Sequence, residues 1–281
     1  AYLPMGGIII AFKEFRISGA SFIENLLSSP WVGFKNFRFL FLTPNAINMT
    51  KNTVLYNLTF MVLQTIFPIG FAIGLNELRN KHMAKVYQAI FFVTFFLSWV
   101  TVSYFVYSLL NPNYGLLNNI LKATGRQPIQ WYMEPKYWPF IIVLAHTWKS
   151  TGPNIVIWLA ALAGIDPELY DAAAIDGASK WQQIKYITLP SLVPLLIILN
   201  ILAVGRIFGA DFGLFYTLPR GSGPLLRITE VIDVYIYKAL MQSFHIGMSA
   251  AAGLYQAAVG FVLVLTTNTI VRKIDKDKAV F

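Results

Sequence analysis

Lys149, Ser150 and Thr151 follow one another in the order that closes a phosphate-binding loop, but Ala145, His146, Thr147 and Trp148 precede them instead of a glycine-rich turn. Without that turn there is no row of backbone N–H groups to cradle phosphate, and the tripeptide lies inside an apolar run. No His-Glu-x-x-His, Gly-x-Ser-x-Gly or Gly-x-Gly-x-x-Gly pattern occurs in the chain. Zinc-dependent hydrolysis, acyl transfer from an activated serine and dinucleotide binding therefore lack their characteristic residues. The absence of cysteine excludes disulfides, thiolate nucleophiles and cysteine-ligated metals, and leaves the compartment unreadable from redox usage. His82, His146 and His245 are too scattered to suggest a metal cluster. The chain is expected to be no enzyme, and to hold no metal or cofactor of its own.

What remains are polar side chains embedded in apolar stretches. Lys149 stands out, because an ammonium within lipid is costly unless it faces a cavity or a partner. Around it lie His146, Trp148, Ser150, Thr151 and Asn154, with Gly152-Pro153 expected to kink or open a helix. Ammonium, hydroxyl, amide and indole groups along a water-filled path suit a hydroxyl-rich or carboxylated solute such as a sugar. A second reading stays open, in which Lys149 is a strut that neutralises a carboxylate or backbone carbonyls between helices. Gln64 and Asn200 are further candidates for the path, as are Ser98, Trp99, Ser103, Tyr107 and Gln256; such residues also commonly hydrogen-bond between helices.

The segment 165–194 carries its own folding signals. Asp166 is placed to cap a helix with Pro167 at its first position and Glu168 in its first turn, which joins a hydrogen bond to free N–H groups with a favourable dipole interaction. That helix is predicted to reach Asp176, where Gly177 ends or bends it. Ser179 then caps a second short helix through Ile187, and Pro190 marks the start of the next span. Ala172, Ala173, Ala174, Gly177 and Ala178 are small enough for another backbone to approach closely. Composition alone allows either a docking element for another protein or an amphipathic helix lying on the bilayer.

The elements that hold these residues follow from composition. Of 281 residues, 56% are hydrophobic and 12% charged, against about 25% charged in a soluble domain. Most of the chain is therefore expected in lipid, as helices, since runs such as 192–202 lack the alternation of barrel strands. Complete spans are predicted at 53–76, 86–110, 138–162, 191–208 and 248–271. The apolar segment 2–12 is too short to cross a hydrocarbon layer of about 30 Å. It reads as the tail of a truncated sixth span. The chain starts at Ala1 with no basic segment before this run, so a signal peptide is not expected and the native protein is expected to begin upstream. The predicted class is an all-α membrane protein with six spans, the first truncated, in a single domain over 1–281.

Connectors at 77–85, 164–190 and 272–281 hold nine Lys/Arg in 46 residues, against eleven in 106 for those at 13–52, 111–137 and 209–247. The denser set is assigned to the cytoplasm together with both termini, because long loops cross largely regardless of charge. The net charge of +9 points to lipid head groups rather than nucleic acid. Trp31, Phe34, Phe37, Phe39 and Phe41, and Trp131, Tyr132, Tyr137 and Trp138, are read as interfacial anchors in the outer loops, with sugar stacking as the other reading.

Asp171-Ala172-Ala173, then Gly177, then Ile187-Thr188-Leu189-Pro190 resembles the cytoplasmic loop signature of ABC importer membrane subunits, Glu-Ala-Ala, a glycine and Ile-x-Leu-Pro. Asp171 departs from the usual glutamate by one methylene, keeping the charge with shorter reach. Trp31-Val-Gly-Phe-Lys-Asn-Phe, Asn52-Thr-Val and Leu159-Ala-Ala-Leu-Ala-Gly-Ile-Asp-Pro-Glu-Leu-Tyr are similar to binding-protein-dependent carbohydrate permeases, and residues 2–13 to their polysaccharide and complex-oligosaccharide, alginate-like subgroup. The resemblance implies a type I importer permease in the bacterial inner membrane. Its implied partners are a second homologous permease, two ATPase subunits holding ATP and Mg, and an extracytoplasmic sugar-binding protein. It implies that the 167–189 element is the coupling helix region, with Asp171, Ala172, Ala173, Asp176, Gly177, Ile187, Leu189 and Pro190 facing an ATPase. A secondary transporter or channel working without an ATPase is the alternative.

Overall fold

The structure, a computed structural model, describes residues 3–17, 21–242 and 244–274. Among them no strand forms beyond an isolated antiparallel bridge between Lys13 and Trp31. The chain opens with a 3-10 helix over Leu3–Phe12, where the reading of 2–12 expected the end of an ordinary span; Tyr2 lies outside the described residues. Then follow α1 (Phe22–Ser28), α2 (Arg38–Leu42), α3 (Pro44–Asn76), α4 (Lys81–Val93), α5 (Trp99–Leu110), α6 (Leu116–Ala123) and α7 (Trp138–Ala163). The remainder forms α8 (Pro167–Ile175), α9 (Lys180–Gln183), α10 (Leu189–Gly205), α11 (Phe212–Thr217), α12 (Leu226–Thr229), α13 (Ile232–Met241) and α14 (Ile246–Ile274).

Among the described residues, three stretches are each long and apolar enough to cross a membrane: Asn45–Asn76, Lys180–Gly205 and Ile246–Lys273. The expected span at 86–110 is broken. Helices Lys81–Phe96 and Trp99–Leu110 meet the same criterion only as a bent pair. Thr94–Phe96 tightens into a 3-10 turn and Leu97 is extended, with φ −71° and ψ 130°. No glycine or proline announces this break. Its local signs are weaker: the Thr94 hydroxyl donates to the Phe91 carbonyl at 2.9 Å, competing with the helical ladder, and Ser98 immediately precedes α5. α7, with 26 residues, is long enough. It is not among the apolar spans because residues such as Thr147, Lys149 and Asn154 interrupt its hydrophobic surface.

The described residues group into two compact units, one drawn from within 1–57, 99–142 and 205–263, the other from within 58–98, 143–204 and 264–274. In the first, Leu40, Ala46, Met49, Ile232 and Ala252 form a buried apolar core. α3 starts at Pro44, well before the predicted 53; the Thr43 hydroxyl accepts from the Ala46 N–H at 3.3 Å, and the polar residues that follow have partners across the unit. The Asn52 amide donates to the carbonyls of Arg227 and Glu230 at 3.0 Å each. Thr53 accepts from the Ile232 N–H at 3.1 Å, and the Asn57 amide donates to the carbonyls of Ile207 and Gly209 at 2.9 Å. These bonds order the 209–247 stretch, read from sequence as a connector, into α11, α12 and α13.

In the second unit, Ala72, Leu75, Ile155, Trp158, Leu162 and Leu192 are the buried core. α7 also lies directly on the backbone around the break. A methyl added at Gly152 would come 2.1 Å from the Phe91 carbonyl oxygen and 2.9 Å from the Phe92 Cα, so only a hydrogen fits. Gly152→Val should therefore cost the detergent-solubilised protein about 1–3 kcal/mol and lower its thermal midpoint. Gly74→Ala, with nothing within 4 Å of the new methyl, should leave the midpoint unchanged or raise it. Matching midpoints in the two variants would mean that α7 does not seat on residues 91–92.

Candidate functional site

The helix–Gly–helix element forms largely as its local signals predict. Asp166 is the N-cap of α8, its carboxylate accepting from the Glu168 N–H at 3.0 Å, with Pro167 at the first helical position. At the other end the Ala178 N–H donates to the Ala173 carbonyl at 2.9 Å and the Gly177 N–H to the Ala174 carbonyl at 3.1 Å. This pair is a Schellman cap, which needs a left-handed residue at its corner; Gly177, with φ +77°, supplies it. Ser179 and Gln182 then form a reciprocal capping box at the start of α9.

The second helix differs from the expectation of an α-helix through Ile187 that stops before Pro190. α9 covers only Lys180–Gln183, a π-helical turn follows over Ile184–Thr188, and α10 continues without a gap. The wider turn ends next to Pro190, which has no N–H for the helical ladder and whose ring would crowd the preceding turn. Thr188 is buried within it, its hydroxyl 2.9 Å from that of Tyr170 on α8, so the two arms are fastened together. Lys180 forms an ion pair at 3.3 Å with Glu77 at the end of α3. Sequence reasoning missed both links, because neither follows from the spacing within the loop.

Outward, the element offers Asp171, Ala172, Asp176 and Gly177 as exposed positions, with Ala173 half-buried. Ile175 is 87% and Trp181 72% exposed, an apolar surface larger than isolated loop residues need. Of the motif's last residues, Ile187 is half-buried, and Leu189 and Pro190 are exposed on the first turn of α10.

The residues singled out for a path are only partly brought together. The Asn154 amide donates to Gln64 Oε1 at 2.6 Å and to the Ser150 carbonyl at 3.1 Å, joining α7 to α3. His146 stacks on Phe60 of α3 with ring centroids 3.7 Å apart. Along this seam Gln64 Nε2, His146 Nδ1 and Thr147 Oγ1 are buried without a hydrogen-bond partner. Thr151 is buried and donates to the Thr147 carbonyl at 2.5 Å; Trp148 is 44% exposed. Asn200 donates to the Leu196 carbonyl of its own helix at 2.8 Å. Lys149 Nζ donates to the Phe95 carbonyl at 3.0 Å and lies 5.5 Å from the Phe95 ring centroid. It thus sits at the end of the broken helix, where backbone carbonyls have no helical partner and a cation is favoured.

These features define a multi-span helical membrane protein that carries a rigid, exposed helix–Gly–helix element outside its spans. Residues 7–276 match the family described as binding-protein-dependent transport system inner membrane component. The chain belongs to that family. It is 32% identical over 277 residues to the polygalacturonan/rhamnogalacturonan transport system permease protein YteP of Bacillus subtilis, covering 98% of this chain and 84% of that protein. A crystal structure of a bacterial ABC transporter involved in the import of the acidic polysaccharide alginate contains a chain with TM-score 0.86 and 31% identity, over 98% of this chain and 90% of that one. A second structure, of a bacterial alginate ABC transporter in complex with alginate pentasaccharide-bound periplasmic protein, gives 0.85 and 31%, over 98% and 89%.

The cap at Gly177 can be tested by itself. Gly177→Ala should weaken the corner by about 1 kcal/mol and speed hydrogen exchange of the Ala178 amide about fivefold. Gly177→Asn should fall between the two, since asparagine tolerates the left-handed region. Identical exchange in all three proteins would remove the cap as the origin of the bend.

Proposed function

We propose that the chain is the membrane-spanning permease subunit of an ATP-driven importer of oligosaccharides or polysaccharides in a bacterial inner membrane. The observation that carries this reading is the helix–Gly–helix element: rigid by its own caps, exposed, and spaced as in importer permeases over 171–190. In this reading a second permease stands beside the chain, two ATPase subunits bind ATP and Mg, and an extracytoplasmic binding protein delivers the sugar. The alginate transporter complexed with its periplasmic protein supports the last of these. In this reading the chain contributes six spans, keeps both termini on the ATPase side, and acts as one permease domain.

Closure of the ATPases would move the 167–189 element, and the tie from Tyr170 to Thr188, the continuous helix from Lys180 to Gly205 and the ion pair to Glu77 would carry that motion into the spans. Rigid-body rocking of packed helices then exchanges access between the two sides. Asp171, Ala172, Ala173, Asp176, Gly177, Ile187, Leu189 and Pro190 are the proposed coupling residues. Gln64, Trp148, Lys149, Thr151, Asn154 and Asn200 are the proposed path residues. The unpartnered polar atoms of Gln64, His146 and Thr147 are groups that a hydroxyl-rich solute could satisfy.

Copurification from native membranes should identify the ATPase and the binding protein. Ala172→Trp adds bulk at an exposed helical position with no backbone strain, and Gly177→Trp adds bulk and strain together. Both should lower recovery of the ATPase and sugar-stimulated ATP hydrolysis about tenfold or more. Unchanged assembly and transport in Ala172→Trp would favour a transporter that works without an ATPase.

A further inference from the structure

The first unit contains a recess of about 610 Å³, within the ~300–1,000 Å³ typical of small-ligand sites. Tyr104 and Tyr216 contribute rings, Ser103 a hydroxyl, and Arg220, Glu230 and Lys238 charges. These charges are not equivalent. Lys238 Nζ lies 3.0 Å from Glu230 Oε1 with both side chains largely buried, so the two neutralise each other. Arg220 has no carboxylate within ion-pair distance among the described residues. Its guanidinium carbon lies instead 4.2 Å from the ring centroid of Tyr107 and 5.2 Å from that of Tyr104.

The backbone holds Arg220 in an uncommon conformation. Its φ is +54° and that of Gly221 is +68°, a left-handed pair in which arginine is disfavoured and which persists only when the surroundings impose it. The surroundings do so: the Ser222 hydroxyl donates to the Tyr132 carbonyl at 2.6 Å, and the Arg220 N–H to the Thr217 carbonyl at 3.2 Å. The Tyr132 hydroxyl is buried with no hydrogen-bond partner. Burial pushes this phenol up to about 12, with the positive charge of Arg220 acting in the opposite direction. A cation without a counter-ion and a phenol without a partner thus lie near one another, by a recess lined with ring faces and hydroxyls.

We propose that this recess binds an acidic saccharide, with Arg220 receiving a uronate carboxylate, the exposed ring of Tyr104 stacking on a sugar ring, and Glu230 accepting from its hydroxyls. The inference rests on the saccharide-importer reading and narrows its substrate to uronate-containing chains. One guanidinium without an ion-pair partner, next to an already neutralised Lys238–Glu230 pair, suits a single negative charge surrounded by hydroxyls. A phosphate dianion brings a second negative charge that would have no free cation here, since Lys238 is paired with Glu230. Guanidinium geometry matches a carboxylate with two parallel hydrogen bonds.

The test is calorimetric titration of the purified assembled transporter with tetragalacturonate and with the neutral maltotetraose. Arg220→Gln should weaken tetragalacturonate about tenfold and leave maltotetraose unchanged, with normal recovery of the partner subunits as the control for folding. Arg220→Lys should fall between, keeping the charge but losing the fork. Equal tetragalacturonate affinity in the wild type and Arg220→Gln overturns the proposal, as does equal weakening of both sugars. So does weaker docking of the sugar-free binding protein with sugar affinity intact, which would assign the guanidinium to a protein contact. If Arg220-dependent binding is found but proteoliposomes take up no sugar with ATP, the importer reading fails while the recess stands.

Discussion

Backbone N–H and C=O groups surrounded by apolar side chains need partners, and where a helix breaks they lose the ones the helix would supply. The break after α4 exposes this constraint most clearly. Its 3-10 turn leaves carbonyls at Phe95 and nearby without ladder bonds, and Lys149 of α7 reaches across to take the Phe95 oxygen at 3.0 Å. The Thr94 hydroxyl lies 3.3 Å from the carbonyls of Trp148 and Lys149, so the stitching runs in both directions. Gly152 makes it possible, because any side chain there would strike the Phe91 carbonyl. On its α3 side, the same helix α7 adjoins the polar atoms of Gln64, His146 and Thr147 that lack partners. The physical requirement that organises this unit therefore also concentrates hydrogen-bonding groups in a membrane helix.

The first unit meets the constraint differently. Asn52, Thr53 and Asn57 of α3 bind backbone groups of the 207–232 stretch. Asn118, fully buried, donates to the carbonyls of Pro112 and Ile129 and accepts from the Ile129 N–H and the Trp131 indole. Each asparagine amide binds two backbone carbonyls, which lets short helices and turns persist without a long ladder of their own. The same economy of partners makes Arg220 and the Tyr132 hydroxyl conspicuous, since most other polar groups around them are satisfied.

The helix–Gly–helix element is of a third kind, because its shape is set within the chain segment itself. Asp166, Pro167, Gly177, Ser179 and Gln182 act over distances of a few residues, so their effect can be read without knowing the rest of the fold. That explains why both the element and the family of binding-protein-dependent inner membrane components were legible from 171–190. The path was less legible. Lys149, Trp148, Thr151 and Asn154 are recognisable as polar residues in an apolar run, but whether each faces a solvent, a helix or a carbonyl depends on groups tens of residues away. The pairing of Asn154 with Gln64, 90 positions apart, is of this sort.

Composition, apolar runs and capping residues by themselves determined an all-helical membrane chain, the approximate places of its long helices, and the bend at Gly177, because hydrophobic transfer and capping are local quantities, whereas the short helices within 13–52, 111–137 and 209–247 read from sequence as connectors. Only the tertiary structure decided that the 86–110 run breaks between Phe96 and Trp99, that a π turn carries α9 into α10, and that Lys149 ends on the Phe95 carbonyl. In each case a backbone group is satisfied, or a helix continues, because of a partner distant in sequence or a turn that accommodates proline. Spacing along the chain does not encode which distant groups will meet.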